Sequence, residues 1–251
     1  MVLRRTLAAS TVLSCLFSSL AGPAEAYSAS MMAAWTMGEP SGSTWMVDSS
    51  GRGHHGRIGH EVGVGMFDGV AVGYRFERLE PDTPPTRPGH LVNVPDHSDL
   101  DPGDRDFVVT LRLKTTHKFG NVIQKGQATV PGGNWKIQLP NGRATCTFRG
   151  SKGTIELIAP DRINDGGWHL VRCSRLASGV YLAVDGQVVA AREGRVGTID
   201  NDWPVSIGGK PDCDQIKVGC DYYAGDLDWV VIQGAPVPGT DASGPADADR
   251  W

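Results

Sequence analysis

Alternation of apolar and polar side chains with a period of two residues is the feature that most constrains this chain. The segments FVVTLRLKT (107–115) and NWKIQL (134–139) place an apolar side chain at every second position. Successive side chains of an extended strand point to opposite faces, so each segment predicts a strand with one buried face. No stretch of twelve residues has the 3.6-residue period of an amphipathic helix. Several such strands separated by glycine-rich turns predict an all-β antiparallel β-sandwich or barrel.

The first 26 residues have the organisation of an export signal. Arg4 and Arg5 precede an apolar stretch over residues 7–20, which ends before the small-residue cleavage pattern Ala24-Glu25-Ala26. A lipoprotein anchor is the alternative, but the residues before Cys15 are a poor match to a lipid-attachment motif. The sequence therefore predicts a secreted, extracellular protein with a signal peptide over residues 1–26.

The rest of the chain is expected to form one domain. We assign residues 27–233 to the sandwich and residues 234–251 to a flexible C-terminal tail, because the tail is too small and polar to order itself by burial. The net charge is −4 and no basic tract occurs, which disfavours nucleic acid and anionic membranes as partners. No run after the signal is long and apolar enough for a membrane span.

Four cysteines follow the signal: Cys146, Cys173, Cys213 and Cys220. An even number in an exported chain predicts two disulfides, for which three pairings exist. We favour Cys213–Cys220, which flank one short loop, and hence Cys146–Cys173, which share the strand face of their apolar neighbours. A zinc site made of all four is the alternative, but only one close pair is present and its spacing is long.

Four segments follow one another in the order seen in a known family. They are AAWTMGEPSGSTWMVDSSGRGHHGRI, VNVPDHSDLDPGDRDFVVTLRLK, DGGWHLVRCSR with GVYLAVDGQVV, and AGDLDWVVIQ. From about residue 35 to residue 233 the chain resembles the LamG-like members of the concanavalin A-like lectin/glucanase superfamily. It departs from them at Trp229, where an acidic residue is common. The resemblance implies a jelly roll of two curved antiparallel sheets and a non-catalytic module that binds carbohydrate or a cell-surface polymer.

Calcium is the candidate cofactor that the resemblance suggests. It makes Asp48, Asp226 and Asp228 the expected carboxylate ligands, with Glu39 as a weaker fourth, provided that the first and last strands are neighbours. Calcium accepts carboxylates, carbonyls and water in flexible geometry, so the spacing of these residues neither requires nor excludes it. The alternative is that Asp48 caps a turn and Asp228 is a hydrogen-bonded strand residue.

The turn DSSGRGHHGRI (48–58) contains two adjacent histidines, His54 and His55. Neighbouring side chains of an extended segment point in opposite directions, so the two rings are not expected to bind one metal ion. We interpret the segment as a solvated, glycine-permitted turn in which the histidines have no role.

No arrangement of residues indicates catalysis, and we expect no catalytic residues. The carboxylate series of the superfamily's glucanases is absent, and so are the usual hydrolase, metalloprotease and phosphate-binding motifs. Asp226 and Asp228 share a spacing of two residues, so a polysaccharide-active hydrolase or lyase stays open as an alternative.

Aromatic residues near predicted loops are the remaining indication of a binding site. The candidate ligand-binding residues are Asn201, Asp202, Trp203, Tyr222 and Tyr223, which combine rings with polar groups as a sugar site requires. Shielding of loop bases is an equally good account of these rings. Trp135, Trp168 and Trp229 have apolar alternating neighbours and are predicted to lie in the core. A protein-binding adhesion module is the second function that fits.

Overall fold

The computed structural model describes residues 30–67, 70–79, 86–212 and 221–235. The predicted export signal, almost all of the predicted tail, and both Cys213 and Cys220 lie outside these residues. Within the part that is described, no helix has the length and apolarity needed to cross a membrane.

Strands make up nearly all of the regular structure in the described residues. Sixteen are present: β1 (Ser30–Trp35), β2 (Trp45–Met46), β3 (Gly56–Ile58), β4 (Gly63–Phe67), β5 (Val70–Phe76), β6 (Val92–Val94), β7 (Phe107–Lys114), β8 (Asn121–Lys125), β9 (Asn134–Gln138), β10 (Thr145–Gly150), β11 (Gly153–Ile158), β12 (Trp168–Leu176), β13 (Gly179–Val184), β14 (Gln187–Glu193), β15 (Val205–Ile207) and β16 (Gly225–Gly234). Three 3-10 turns occur at Pro88–His90, Ser98–Leu100 and Pro140–Gly142.

The strands form two antiparallel sheets. The first has the order β14-β13-β12-β7-β16-β5-β4, and β1 pairs with the free part of β16 beyond β5. The second has the order β11-β10-β9-β8-β15-β6-β3-β2. Strands distant in sequence are neighbours in both sheets, as in a jelly-roll sandwich, and the predicted fold is confirmed. In the pairing of β1 with β16, Ser30 lies opposite Gly234 and Trp35 opposite Val230.

The core lies between the sheets and is filled by the apolar faces that alternation predicts. From the first sheet, Val109 and Leu111 of β7 are completely buried beside Val171 of β12. From the second, Trp135 and Phe148 face them, and both rings are buried. Each such side chain contributes about 1.5–3 kcal/mol when it leaves water, so the period-two pattern accounts for the assembly of the sandwich.

A predicted hairpin turn joins β13 to β14. Asp185 has a φ of 50° and Gly186 a φ of 81°. Positive φ at two successive residues is the conformation that Asp-Gly supplies in a two-residue hairpin turn, as predicted from the sequence.

One disulfide connects the two sheets through the core. Cys146 in β10 and Cys173 in β12 are bonded, with a Cα–Cα distance of 5.7 Å. This confirms one of the two predicted pairs. Each partner is buried, so the bond fixes the sheets together where their apolar faces meet. The pairing of Cys213 with Cys220 lies outside the described residues and stays a prediction.

Candidate functional site

The five residues predicted to bind ligand do not form one site. Trp203 precedes β15, whose Val205 pairs with Lys125 at the end of β8. Tyr222 instead bridges to Asn121 at the start of the same strand. Four residues of strand span about 13 Å, so the two predicted groups of aromatic and polar residues lie at opposite ends of β8.

Asn201 and Tyr223 are structural, and their prediction as ligand-binding residues is wrong. Asn201 is buried; its side chain donates to the Gly133 carbonyl (3.2 Å) and accepts from the Trp203 N–H (3.0 Å). Tyr223 is fully buried, with its hydroxyl 3.0 Å from the Lys114 carbonyl. Burial raises the pKa of this phenol well above its ordinary value. Neither side chain reaches the surface, where a glycan would have to bind.

The other members of the set remain at the surface. Asp202 is exposed, and Trp203 and Tyr222 are half-buried. The Tyr222 hydroxyl accepts from the Arg87 N–H, and its ring meets the edge of His90 at 5.2 Å. These contacts support the loops around them, which is the alternative that the sequence left open.

The four carboxylates suggested for calcium are occupied by protein donors. Asp48 accepts from the Ala34 N–H (2.9 Å), the His54 N–H (3.0 Å) and the Ser50 hydroxyl (2.7 Å). Burial would raise the pKa of Asp48, but these hydrogen bonds outweigh it and lower the pKa below its ordinary value. Glu39 accepts from the Tyr74 hydroxyl at 2.6 Å.

Asp226 and Asp228 are held in ion pairs with arginines. Asp226 lies 2.8 Å from Arg75 Nε, and Asp228 lies 2.5 Å from Arg112. The first and last strands are neighbours, as predicted, but β1 ends at Trp35 opposite Val230, before either carboxylate is reached. The structure does not gather these residues into one ligand set, and calcium binding stays a prediction.

The face of the first sheet that is turned away from the core carries a groove. Inward-facing Val171 and Cys173 on β12 leave the alternate residues of that strand pointing outward. The resulting cavity has a volume of about 410 Å³ and is here called the sheet groove. Residues on four adjacent strands line it, among them Thr110, Leu170, Arg172, Ser174, Tyr181 and Val188. No carboxylate lines it, and Arg172, which is exposed, has no ion-pair partner among the described residues.

Trp168 lies on the same outward face, beside the sheet groove, and its predicted place in the core is wrong. The ring is half-buried, with the Arg112 guanidinium carbon 4.6 Å and Lys114 Nζ 6.0 Å from its centroid. Trp229, which pairs in register with Arg112, is half-buried as well. Of the three tryptophans predicted to be buried, Trp135 alone lies in the core.

A second cavity continues the surface past Lys114, at the strand ends. It has a volume of about 250 Å³, and we call it the rim pocket. Its basic lining residues are Arg75, Arg78, Lys114 and His117, against the acidic Glu77 and Asp226. Together, the sheet groove, Trp168 and the rim pocket form one surface across β14 to β5, in which cations outnumber carboxylates. We call this surface the outer-sheet site.

The outer-sheet site has the composition of a recognition surface. An indole flanked by two cations offers an apolar ring face next to positive charge, and a half-buried ring is pre-positioned for contact. A glycosidase needs two carboxyl groups about 5–9.5 Å apart across the scissile bond, and the lining of the sheet groove provides none.

The same fold occurs in several proteins. Residues 113–235 match the laminin G domain family. The binding domain of Paraclostridial Mosquitocidal Protein 1 aligns with a TM-score of 0.56 and 13% identity, over 82% of this chain and 48% of that one. The binding domain of botulinum neurotoxin serotype D gives a TM-score of 0.54 and 13% identity, over 82% and 47%.

A third match is to domains LG4-5 of the mouse laminin alpha1 chain, at 21% identity over 53% of this chain and 37% of that one, with a TM-score of 0.46. This chain therefore spans less than half the length of each of these structures. At such identities the toxin structures establish a shared fold.

Proposed function

We propose that this chain, a laminin G-like jelly-roll domain of the concanavalin A-like superfamily, is an extracellular binding module that holds an acidic polysaccharide on its outer-sheet site. Laminin G domains are typically extracellular binding modules, which supports the general role. The class of ligand is inferred from the residues of the site.

The position of Trp168 is the observation that carries the proposal. Its ring lies between the sheet groove and the rim pocket with Arg112 and Lys114 beside it. The apolar C–H face of a sugar packs on an indole, while carboxylate or sulfate groups of the same sugar pair with guanidinium and ammonium groups. The Arg112 guanidinium is shared with Asp228, so Lys114 beside the ring and Arg172 in the groove are the cations that favour an anionic sugar over a neutral one.

The charge and size of the sheet groove favour a polymer with acidic groups. Arg172 extends the line of cations from Arg112 into the groove, and no carboxylate opposes it there. A volume of about 410 Å³ falls in the range of ligand sites, roughly 300–1,000 Å³. Because the groove lies on an open sheet face, a polymer can cross it and reach the rim pocket. The chain as a whole is acidic, so attraction must be local and will weaken with salt.

Binding to defined polysaccharides tests the proposal. The protein lacking residues 1–26 would be titrated calorimetrically with polygalacturonate, a sulfated glycosaminoglycan and a neutral β-glucan. We expect the acidic polymers to bind and Trp168→Ala and Arg172→Gln each to weaken binding roughly 10-fold, the size of one contact worth about 1.4 kcal/mol. Binding should also fall as salt rises.

The matched control is Trp45→Ala. Trp45 also stacks on an arginine, with Arg57 4.9 Å from the ring centroid, but it lies in β2 at the edge of the second sheet. Equal losses in Trp45→Ala and Trp168→Ala would refute the assignment to the outer-sheet site. Equal binding of the neutral glucan would refute the acidic ligand.

A protein partner is the second candidate, favoured by the edge of the first sheet. Among the strands that the structure describes, β14 pairs on one side only, and Val188 in it is well exposed. An exposed sheet edge can accept a strand from another protein. If this surface is the functional one, Val188→Lys should abolish capture of the partner while Trp168→Ala leaves it intact.

A further inference from the structure

The turn that the sequence predicts to be solvated buries one of its two histidines. His54 is buried, and its backbone is fixed on both sides: the N–H donates to Asp48 (3.0 Å) and the carbonyl accepts from Trp35 Nε1 (2.7 Å). The ring packs against His97, with 4.5 Å between centroids. Two histidines 43 positions apart in sequence thus meet at one point of the fold.

Asp99 completes this group, which lies apart from the outer-sheet site. His54 Nε2 is 3.3 Å and His97 Nδ1 is 3.7 Å from Asp99 Oδ2. The Asp99 side chain is only 3% exposed, and its second oxygen, Oδ1, has no hydrogen-bond partner among the described residues. A buried carboxylate oxygen without a donor is costly, and a cation bound to the Asp99 carboxylate would reduce that cost.

The spacing of the three groups suits a small divalent cation. One potential ligand atom from each of His54, His97 and Asp99 lies within 4.8 Å of the other two. Ligands held 2.0–2.1 Å from a tetrahedral zinc ion are about 3.3 Å apart. The group therefore has to close by about 1.5 Å at most. His97 can supply this movement, because its side chain is 46% exposed, whereas His54 and Asp99 are fixed.

We propose that His54, His97 and Asp99 form a binding site for a divalent transition metal, with Zn²⁺ the best-fitting ion. Two imidazoles and one carboxylate are a donor set that borderline metals prefer, whereas calcium takes oxygen ligands. Three protein ligands leave a fourth position of the metal open, on the exposed side of His97.

Two contacts compete with the metal and shape the test. The Arg52 guanidinium lies 2.8 Å from Asp99 Oδ2, so a bound cation shares the carboxylate with a positive side chain. The Asp99 N–H donates to His97 Nδ1 at 3.1 Å, and this bond must be released if that nitrogen binds the metal. Removing the ion pair between Arg52 and Asp99 should strengthen metal binding. A purely structural role for Asp99 does not predict this gain.

Titration of the chelator-treated, untagged protein with ZnCl2 tests the proposal. Calorimetry should show one ion per chain with a Kd in the micromolar range, and Zn²⁺ should raise the Tm because it binds the native state. His97→Ala should weaken binding by at least about 100-fold. Loss of a residue that only hydrogen-bonds to a metal ligand weakens binding by up to about 100-fold, and loss of a ligand should cost no less. Arg52→Gln should bind Zn²⁺ more tightly than the natural chain.

Two exposed histidines serve as controls. His60→Ala removes an exposed ring outside the group, and His169→Ala removes a ring that lies between Asp165 and Asp185 and could bind zinc adventitiously. Both variants should keep the natural affinity. Absence of binding at 1 mM Zn²⁺, unchanged affinity in His97→Ala, or loss of the ion in His169→Ala would each overturn the proposal. Co²⁺ absorption spectra give an independent readout of nitrogen and oxygen coordination.

Discussion

A buried lysine next to the predicted ligand-binding segment allows a quantitative test of the structure. Lys125 in β8 is completely buried, with Nζ 2.8 Å from Asp101 and 2.7 Å from Asp96. It also donates to the carbonyl of Asn201, which links β8 to the segment before β15. Replacing it by Met keeps most of the unbranched side chain and removes the charged end. The change should therefore report on the ion pair rather than on packing.

The size of the effect depends on which carboxylate is buried. Asp96 is 37% exposed, so solvent screens its pair with Lys125 and the contribution is small. Asp101 is buried, and removal of one partner of a buried pair costs about 3–5 kcal/mol, because the remaining charge is uncompensated. For a domain of this size, Lys125→Met should lower the Tm by roughly 6–20 °C.

The loss of unfolding free energy in Lys125→Met should depend on pH, and the pKa of Asp101 determines whether it grows or shrinks as the pH rises. Burial raises the pKa of this carboxyl from 3.8 to about 6, although Lys125 pulls it down. The pKa of Asp101 is higher in the folded chain than in the unfolded chain, so the folded chain binds this proton more tightly. The stability linked to that proton, about 3 kcal/mol, is present at low pH and is lost as the pH rises through 6. Without Lys125 the pKa of the Asp101 carboxyl rises further, so this group is neutral at pH 5. The loss of unfolding free energy in Lys125→Met should therefore be smaller at pH 5 than at pH 8.

Urea unfolding at pH 5 and pH 8 measures this difference. Lys152→Met is the control, because Lys152 is exposed on the turn between β10 and β11 and should change stability by less than about 0.5 kcal/mol. The double variant Lys125→Met/Asp101→Leu should recover part of the loss, since it removes the stranded charge. A loss below 1 kcal/mol at pH 8, or the same loss at both values of pH, would refute the reasoning.

Three further predictions follow from contacts described above. Cys146→Ala/Cys173→Ala should lose about 3.5 kcal/mol of unfolding free energy in urea, from the closure entropy of a 27-residue separation. Asp48→Ala should lose roughly 2–4 kcal/mol, because buried N–H groups are left without an acceptor. Since the pKa of Asp48 is lowered, its contribution should be present above pH 3.8 and disappear as the medium becomes more acidic, which unfolding at pH 3 and pH 6 would show. Millimolar calcium tests the cofactor that the resemblance suggests: a rise in Tm that Asp226→Asn abolishes would establish the site, and an unchanged Tm would count against it.

Period-two alternation predicts the fold well because it is a local property. Residues 107–115 reveal their buried face without reference to any other strand. The same alternation also predicts the side of β12 on which Trp168 lies, although its apolar neighbours suggest that it belongs to the core. Val171 and Cys173 point inward, so Trp168, at the opposite phase of β12, points outward. Likewise, adjacent Tyr222 and Tyr223 cannot share one face of an extended segment, and one of them is buried.

Other features depend on information that the local pattern does not carry. The register of β16 shifts between Leu227 and Trp229, and such a bulge changes the phase of alternation, which makes the side occupied by Trp229 unreadable from sequence. His54 and His97 are brought together by the packing of two distant loops. No spacing rule for metal ligands spans such a separation, so the group becomes visible only in three dimensions.

The pairing of β1 with β16 fixes how the module can be displayed. Ser30 and Gly234 lie opposite each other, and Gly234 also pairs with Phe107 at the start of β7. Lys114 is at the other end of that strand, about 24 Å away. A domain coupled to a sensor chip or bead at Ser30 or at Gly234 would therefore be attached at the Phe107 end of β7. Trp168 and the rim pocket lie at the opposite end of that strand and would remain accessible to a ligand in solution.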